Sequence, residues 1–234
     1  CREHELRVVE GWYRLKIAAA GICGSDLGRG FNSGAYHYPL VMGHEFSAVV
    51  EEAPQGGRFA PGARVAVYPL LPCGTCAPCQ KGHIQLCLNY DYFGSRRDGA
   101  FAQALYAPES HLLPIPDDVS LEEAALCEPA AVAYHGVSMH PVAPGRTALV
   151  IGGGPIGLIA AQWLRIKGCT SIAVADIEEA KLDFAATFGF TAIDSRKLDD
   201  FADAFDYVAE ACGLAITRRA AIAWSSLRRV PLPM

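Results

Sequence analysis

The 234 residues predict an α/β chain in two parts, a β-rich first part and a second part built on a parallel sheet. Three observations carry this. From Arg7 to about Pro116 the apolar runs are short and punctuated by Gly and Pro. From Thr147 onward, strand-like and helix-like runs alternate, which implies parallel strands covered on both faces. A helical stretch joins the two. The change of rhythm places the division at 1–143 and 144–234. The length suits one large domain or two modest ones.

In the first part, "RLKIAAAG", "FSAVVEEA", "ARVAVYPL" and "FAQALYAP" read as strands between turns. "SLEEAALCEPAAVAYHGVSM" reads as helix, with Ser120 and Glu123 spaced as a capping box. In the second part, "TALVI", "SIAVAD", "FTAID" and "FDYVAEA" read as strands. "PIGLIAAQWLRIKG", closed by Gly168, and "EEAKLDFAATFG" read as helices, and a last helix is expected up to about Arg229. No internal repeat or low-complexity tract is present.

Composition excludes several classes. A net charge of −5 without a dense Lys/Arg run argues against a nucleic-acid partner. Thr147–Leu164 carries no charge and approaches the minimum length for a membrane span. Gly152, Gly153, Gly154 and Pro155 interrupt it, so strand, turn and helix explain it better than a membrane helix. The N-terminus has no apolar signal core. The nine cysteines cluster at metal-type intervals instead of spreading as a disulfide framework. A reducing, cytoplasmic setting is therefore expected.

Gly152, Gly154 and Gly157 give G-x-G-x-x-G after an apolar strand and at the start of a helix. Gly152 permits a tight turn, Gly154 lets the backbone approach a pyrophosphate, and Gly157 lets the helix pack on the strand. The phosphates would lie at the helix N-terminus, near Pro155 and Ile156. Asp176 ends the next strand, where an acid binds the ribose 2′-hydroxyl. Its carboxylate would repel a 2′-phosphate and Ile177 beside it offers no arginine, so NAD is expected over NADP. The plainer reading is a structural turn with a helix-flanking acid.

"PCGTCAPCQKGHIQLC" supplies Cys73, Cys76, Cys79 and Cys87. Four thiolates suit a closed tetrahedral zinc site. The first three also match an iron–sulfur spacing, but seven residues precede the fourth, and Leu88, not proline, follows it. "GICGSD" supplies Cys23, Ser25 and Asp26, "GHEF" supplies His44 and Glu45, and "LCEPAA" supplies Glu128. Thiolate, imidazole and carboxylate together suit a catalytic zinc with one open position. Singly, each has a duller reading: a small core cysteine, a turn histidine, an acid at a helix start.

Together "GICGSDL", "YPLVMGHEFSAVVEE", "PCGTCAPCQKGHIQLC", "DGAFAQ", "CEPAAVAYHG" and "GGGPIGLIAAQ" resemble the zinc-dependent medium-chain dehydrogenases of the alcohol and polyol type. The resemblance implies a GroES-like catalytic domain followed by an incomplete Rossmann domain. It implies a structural zinc on the four-cysteine lobe and a catalytic zinc on Cys23, His44 and Glu128. Glu45 is implied as an alternative ligand or an outer partner. Ser25 would hydrogen-bond the reacting oxygen and begin a proton relay, and Asp26 would orient His44. The implied reaction moves a hydride from a secondary alcohol to NAD. The substrate would be a sugar alcohol or a sugar-alcohol phosphate of the galactitol-1-phosphate kind, with sorbitol- or threonine-type substrates as alternatives. Arg96 and Arg97 are candidates for a phosphate, or for anchoring a loop.

The chain is also roughly a third shorter than such two-domain enzymes. The last two strands of a six-stranded dinucleotide fold do not follow "FDYVAEA", nor does the segment that returns to the catalytic domain. The expectation is a truncated chain with weak or no activity alone, or an inactive or regulatory zinc- and NAD-binding protein. The homo-oligomers implied by the resemblance pair through late strands, so that interface is expected to be lacking. A mere zinc-lobe interaction module would leave Cys23, His44, Glu128 and the glycine turn unexplained.

Overall fold

The computed structural model describes residues 6, 8–32, 34–201 and 203–212. The chain divides into two compact units between Glu128 and Pro129.

The first unit contains β1 (Tyr13–Gly21), α1 (Gly24–Phe31), β2 (Glu45–Glu52), β3 (Arg64–Val67), β4 (Leu70–Leu71), α2 (Ala77–Gln80), β5 (Asp91–Tyr92), β6 (Ala104–Ala107), β7 (Leu112–Pro114) and α3 (Leu121–Ala124). Five strands form a sheet in the order β6-β1-β2-β3-β7, with antiparallel pairing throughout. Side chains alternate as a half-buried strand requires. Leu15 is buried while Lys16 points to solvent. Leu15 lies opposite both Val50 and Leu105, so one face gathers Tyr13, Leu15, Phe46, Val50, Val65 and Leu105 into the core.

A glycine contact ties the loop before β6 to the segment that carries His44. Gly43 has φ +97°, which excludes most side chains. A Cβ on Gly99 would overlap the Gly43 carbonyl. With neither side chain present, the Ala100 N–H donates to that carbonyl at 2.9 Å and the Gly99 N–H donates to Val41 O at 2.8 Å.

Helix α4 (Cys127–Met139) starts at the unit boundary. The second unit continues with β8 (Thr147–Ile151), α5 (Pro155–Ile166), β9 (Ser171–Asp176), α6 (Glu179–Thr187), β10 (Thr191–Asp194) and β11 (Tyr207–Glu210). The four strands are parallel, in the order β10-β9-β8-β11. Both faces of β8 are covered: Ala148 and Val150 join one apolar cluster, Leu149 and Ile151 the other. That is the pattern of a parallel strand between helical layers.

Several features differ from the sequence reading. The units divide ahead of residue 143, because Ala133 and Val137 of α4 bury in the cluster that contains β8 and α5. The helix expected from Ser120 is broken at Ala125 and Leu126 into α3 and α4. Its start is as expected: the Ser120 hydroxyl accepts from Glu123 N, and Glu123 accepts from Ser120 N. Helix α1 and strand β7 were not anticipated. The helix expected up to Arg229 lies outside the described residues. The uncharged run 147–164 is strand, turn and helix, and no helix among the described residues is long and apolar enough to cross a membrane.

Candidate functional site

The four-cysteine lobe lies between β4 and β5. All four sulfurs are within 4.8 Å of one another. Cys76 Sγ is 3.4 Å from Cys79 Sγ and 3.9 Å from Cys87 Sγ. A tetrahedron with 2.3 Å metal–sulfur bonds has edges of about 3.8 Å, so the spacing fits one zinc ion at the centre. The hydrogen bond from the Thr75 hydroxyl, above all, holds the Cys73 thiol down at about 5, while desolvation pushes Cys79 up to about 12. Sulfurs this crowded ionise together only if a dication neutralises them.

A second group gathers Cys23, His44 and Glu45, whose ligand atoms also lie within 4.8 Å of one another. Cys23 is the N-cap of α1, and its backbone N–H donates to Asp26 Oδ2 at 3.1 Å. His44 and Glu45 are consecutive and buried where β2 begins. Asp26 is 2% exposed, with Oδ1 3.5 Å from His44 Nδ1. At that distance the contact is electrostatic, and Nδ1 has no hydrogen-bond partner among the described residues. The hydrogen bond with His44 lowers the Cys23 thiol. Burial alone would lower His44, but Cys23, Asp26 and Glu128 outweigh it and raise the imidazole.

The sequence reading grouped Cys23 and His44 with Glu128. In the structure the trio that closes contains Glu45, its neighbour in the chain. Glu128 arrives from α4, and its Oε1 accepts from the Tyr92 hydroxyl at 3.2 Å. Burial raises the Glu128 carboxyl, against the charge of His44 and the Tyr92 hydrogen bond, with Glu45 adding to the rise. The Tyr92 ring stands edge-on to His44 at 5.8 Å. Sequence reasoning passed over Tyr92, since a tyrosine after a metal lobe carries no distinguishing pattern.

A hollow of about 360 Å³ opens beside this group, lined by Ser25, Arg29, Tyr36, His44, Tyr90 and Tyr92 among others. Arg29 donates to Ser25 Oγ at 2.8 Å, a contact at i and i+4 on α1. It went unread because Gly24, Gly28 and Gly30 hide the helix. The two candidate arginines separate. Arg97 donates to Asp91 at 2.7 Å and sits over the Trp12 ring, which anchors the loop. Arg96 lies over the rings of Tyr36 and Tyr90, 4.3 Å from each centroid.

In the second unit the glycine turn has its expected form. Gly152 has φ +108°, and a Cβ there would lie 2.8 Å from Cys212 N. A Cβ on Gly157 would overlap the Gly152 carbonyl, while Gly154 faces open space that a backbone-bound anion could fill. Pro155 opens α5, with Ile156 half-buried behind it. The Gly153 N–H donates to Asp176 Oδ2 at 2.8 Å, and the Glu178 N–H donates to Asp176 Oδ1 at 3.0 Å. Burial would raise this carboxyl, but those two bonds and Lys181 hold it below the ordinary range. Lys181 Nζ lies 2.6 Å from Glu178 and 3.8 Å from Asp176.

An antiparallel unit with two zinc-fitting groups, followed by a parallel unit whose first strand and helix meet at a glycine turn, defines the fold of a zinc-binding dehydrogenase. Residues 9–117 match the model of the alcohol dehydrogenase GroES-like domain. The galactitol 1-phosphate 5-dehydrogenase of Escherichia coli K12 is 41% identical over 177 residues, which cover 75% of this chain and 51% of that protein. The sorbitol dehydrogenase of Bacillus subtilis is 36% identical, covering 76% and 52%. The crystal structure of galactitol-1-phosphate dehydrogenase from Escherichia coli superposes with a TM-score of 0.85 at 34% identity, covering 94% of this chain and 67% of that one. The chain belongs to the zinc-dependent medium-chain alcohol dehydrogenase family, and it spans about half the length of the curated relatives it matches.

Proposed function

We propose that the protein carrying this sequence is an NAD-linked dehydrogenase acting on a secondary alcohol of a sugar alcohol or sugar-alcohol phosphate. The observation that carries this reading is the trio Cys23, His44 and Glu45 beside a hollow that also contains Ser25. The polyol and polyol-phosphate names of the relatives support the substrate class.

Cys23, His44 and Glu45 would hold the catalytic zinc, with Glu128 within reach as a further acid. Bound there, zinc supplies Lewis acidity that lowers the pKa of an alcohol. Asp26 positions the His44 ring by charge. Ser25 Oγ accepts from Arg29 through one lone pair; the other would take up the proton that the alcohol gives up, while Ser25's own O–H proton passes outward. The N–H groups at the start of α5 would bind the pyrophosphate, and Asp176 would accept the ribose 2′-hydroxyl. Cys73, Cys76, Cys79 and Cys87 would hold the structural zinc.

Galactitol 1-phosphate, galactitol, sorbitol and L-threonine, assayed by NADH absorbance alongside zinc analysis, test the reading. Turnover of a polyol or its phosphate, lost on chelation, is expected. A protein that binds zinc and NAD but oxidises no alcohol in the panel would refute it. Asp176 sets the cofactor preference through repulsion of a 2′-phosphate. Asp176→Ser should therefore shift the NAD-to-NADP ratio of kcat/KM by about tenfold towards NADP, since Lys181 would retain only Glu178 as its partner. An unchanged ratio would show that Asp176 does not face the ribose.

A further inference from the structure

Beside Cys23, His44 and Glu45 stands one acid more than an open metal site needs. Three protein ligands with a free fourth position make a catalytic zinc site, whereas four make a closed one. The trio already supplies three. Glu128, half-buried in the same unit, is a further donor of the right chemistry. If it joined the trio, the group would be as closed as the four-cysteine lobe. The structure holds it elsewhere. Among the described residues, the one hydrogen bond to its carboxylate comes from the Tyr92 hydroxyl, at 3.2 Å to Oε1.

Tyr92 is itself firmly placed. It ends β5 opposite Leu70 of β4, and the four-cysteine lobe connects those two strands. Its carbonyl oxygen accepts from the N–H groups of Ser95, Arg96 and Arg97 at 3.3, 3.0 and 3.2 Å. Its ring stands edge-on to Tyr90 at 6.4 Å and to His44 at 5.8 Å. A phenylalanine would make both ring contacts equally well, so packing does not account for the hydroxyl. Glu128, by contrast, has a long side chain with several rotatable bonds and needs a partner to hold one position. Tyr92 supplies that partner from a strand, outside the helix that carries Glu128.

We propose that Tyr92 is a positioning residue that keeps Glu128 off the metal held by Cys23, His44 and Glu45, so that the fourth position stays open to an incoming ligand. Tyr92 acts through Glu128 and touches no reacting atom. At 3.2 Å the bond is longer than most between two oxygens, so it biases the carboxylate without locking it. Losing a hydrogen bond to a charged group shifts such a balance by about tenfold. The role of Tyr92 rests on the metal trio of the reading above, and not on its substrate.

The test exchanges cobalt(II) into the trio while zinc stays in the four-cysteine lobe. The visible bands of cobalt report its ligands, and titration with azide reports an open position. Wild type, Tyr92→Phe, Glu128→Gln and the Tyr92→Phe/Glu128→Gln double variant are compared. Azide should shift the bands of the wild type. Tyr92→Phe, in which Glu128 moves onto the metal, should need about tenfold more azide and should release cobalt to a chelator about tenfold more slowly. The double variant should regain wild-type azide binding, a rescue that lost packing would not produce. Wild-type azide affinity in Tyr92→Phe, or no rescue in the double variant, overturns the positioning role. So does a Glu128→Gln protein that loses cobalt as readily as Glu45→Gln, because Glu128 would then already be a ligand. A wild type that takes up only the ion of the lobe overturns the role and removes the metal trio from the reading above. If the azide pattern is as expected but no alcohol is oxidised, the role stands and the dehydrogenase reading fails.

Discussion

Cys23→Ser is expected to abolish turnover and to remove one of two bound zinc ions, with little change in melting temperature. A serine hydroxyl stays protonated near neutral pH and cannot replace a thiolate ligand. Loss of an outer partner alone costs 10–100-fold in metal affinity or activity, so loss of a direct ligand should cost more than about 100-fold. The fold should survive because Cys23 lies outside the apolar core of its unit, and the α1 start depends on its backbone N–H to Asp26. Zinc analysis with an activity assay checks this. Retained turnover with both ions bound would remove Cys23 from the metal site, and the proposed chemistry with it.

Cys87→Ala should act on stability. Cys87 is buried, accepts from Cys73 N at 3.2 Å and lies 3.9 Å from Cys76 Sγ. The lobe has little core of its own: Ile84, Leu86 and Leu88 are 39%, 61% and 72% exposed. A central ion must therefore do what apolar packing does elsewhere. Structural zinc binds zinc-finger peptides with about 10–16 kcal/mol. Losing even part of that should lower the melting temperature by about 10 °C or more, release the other zinc equivalent, and open the lobe to protease between β4 and β5. Two zinc ions and an unchanged melt would mean that the lobe holds itself together.

These two cysteines also mark how far the amino-acid order could be read. All four ligands of the lobe fall within fifteen residues of one another, so their spacing reports their geometry. The glycine turn is equally local, and strand, turn, helix and Asp176 all lie where the motif requires them. The second metal group is different. Cys23, His44 and the two glutamates come from the N-cap of α1, the entry to β2, β2 itself and α4, and only tertiary packing decides which carboxylate reaches the others. Glu45 is carried there by its neighbour His44, whereas Glu128 is held by Tyr92.

Arg96 and Arg97 show the same limit at shorter range. They are adjacent in the chain, yet one is held by Asp91 and Trp12 and the other lies over two tyrosines of the hollow. Successive side chains leave the backbone in different directions, and no residue pattern tells which partner waits on each side. The unit boundary moved for a related reason, because burial of Ala133 and Val137, not a change of composition, assigns α4 to the parallel sheet. Residue order by itself determined the α/β class, the strand–helix alternation, the thiolate lobe and the glycine turn, since each depends on interactions between near neighbours. Tertiary structure alone decided the Glu45 trio, the Tyr92–Glu128 bond and the placing of Arg29 in a hollow shared with Tyr90. Those depend on distances between elements far apart in the chain, which periodicity and spacing do not encode.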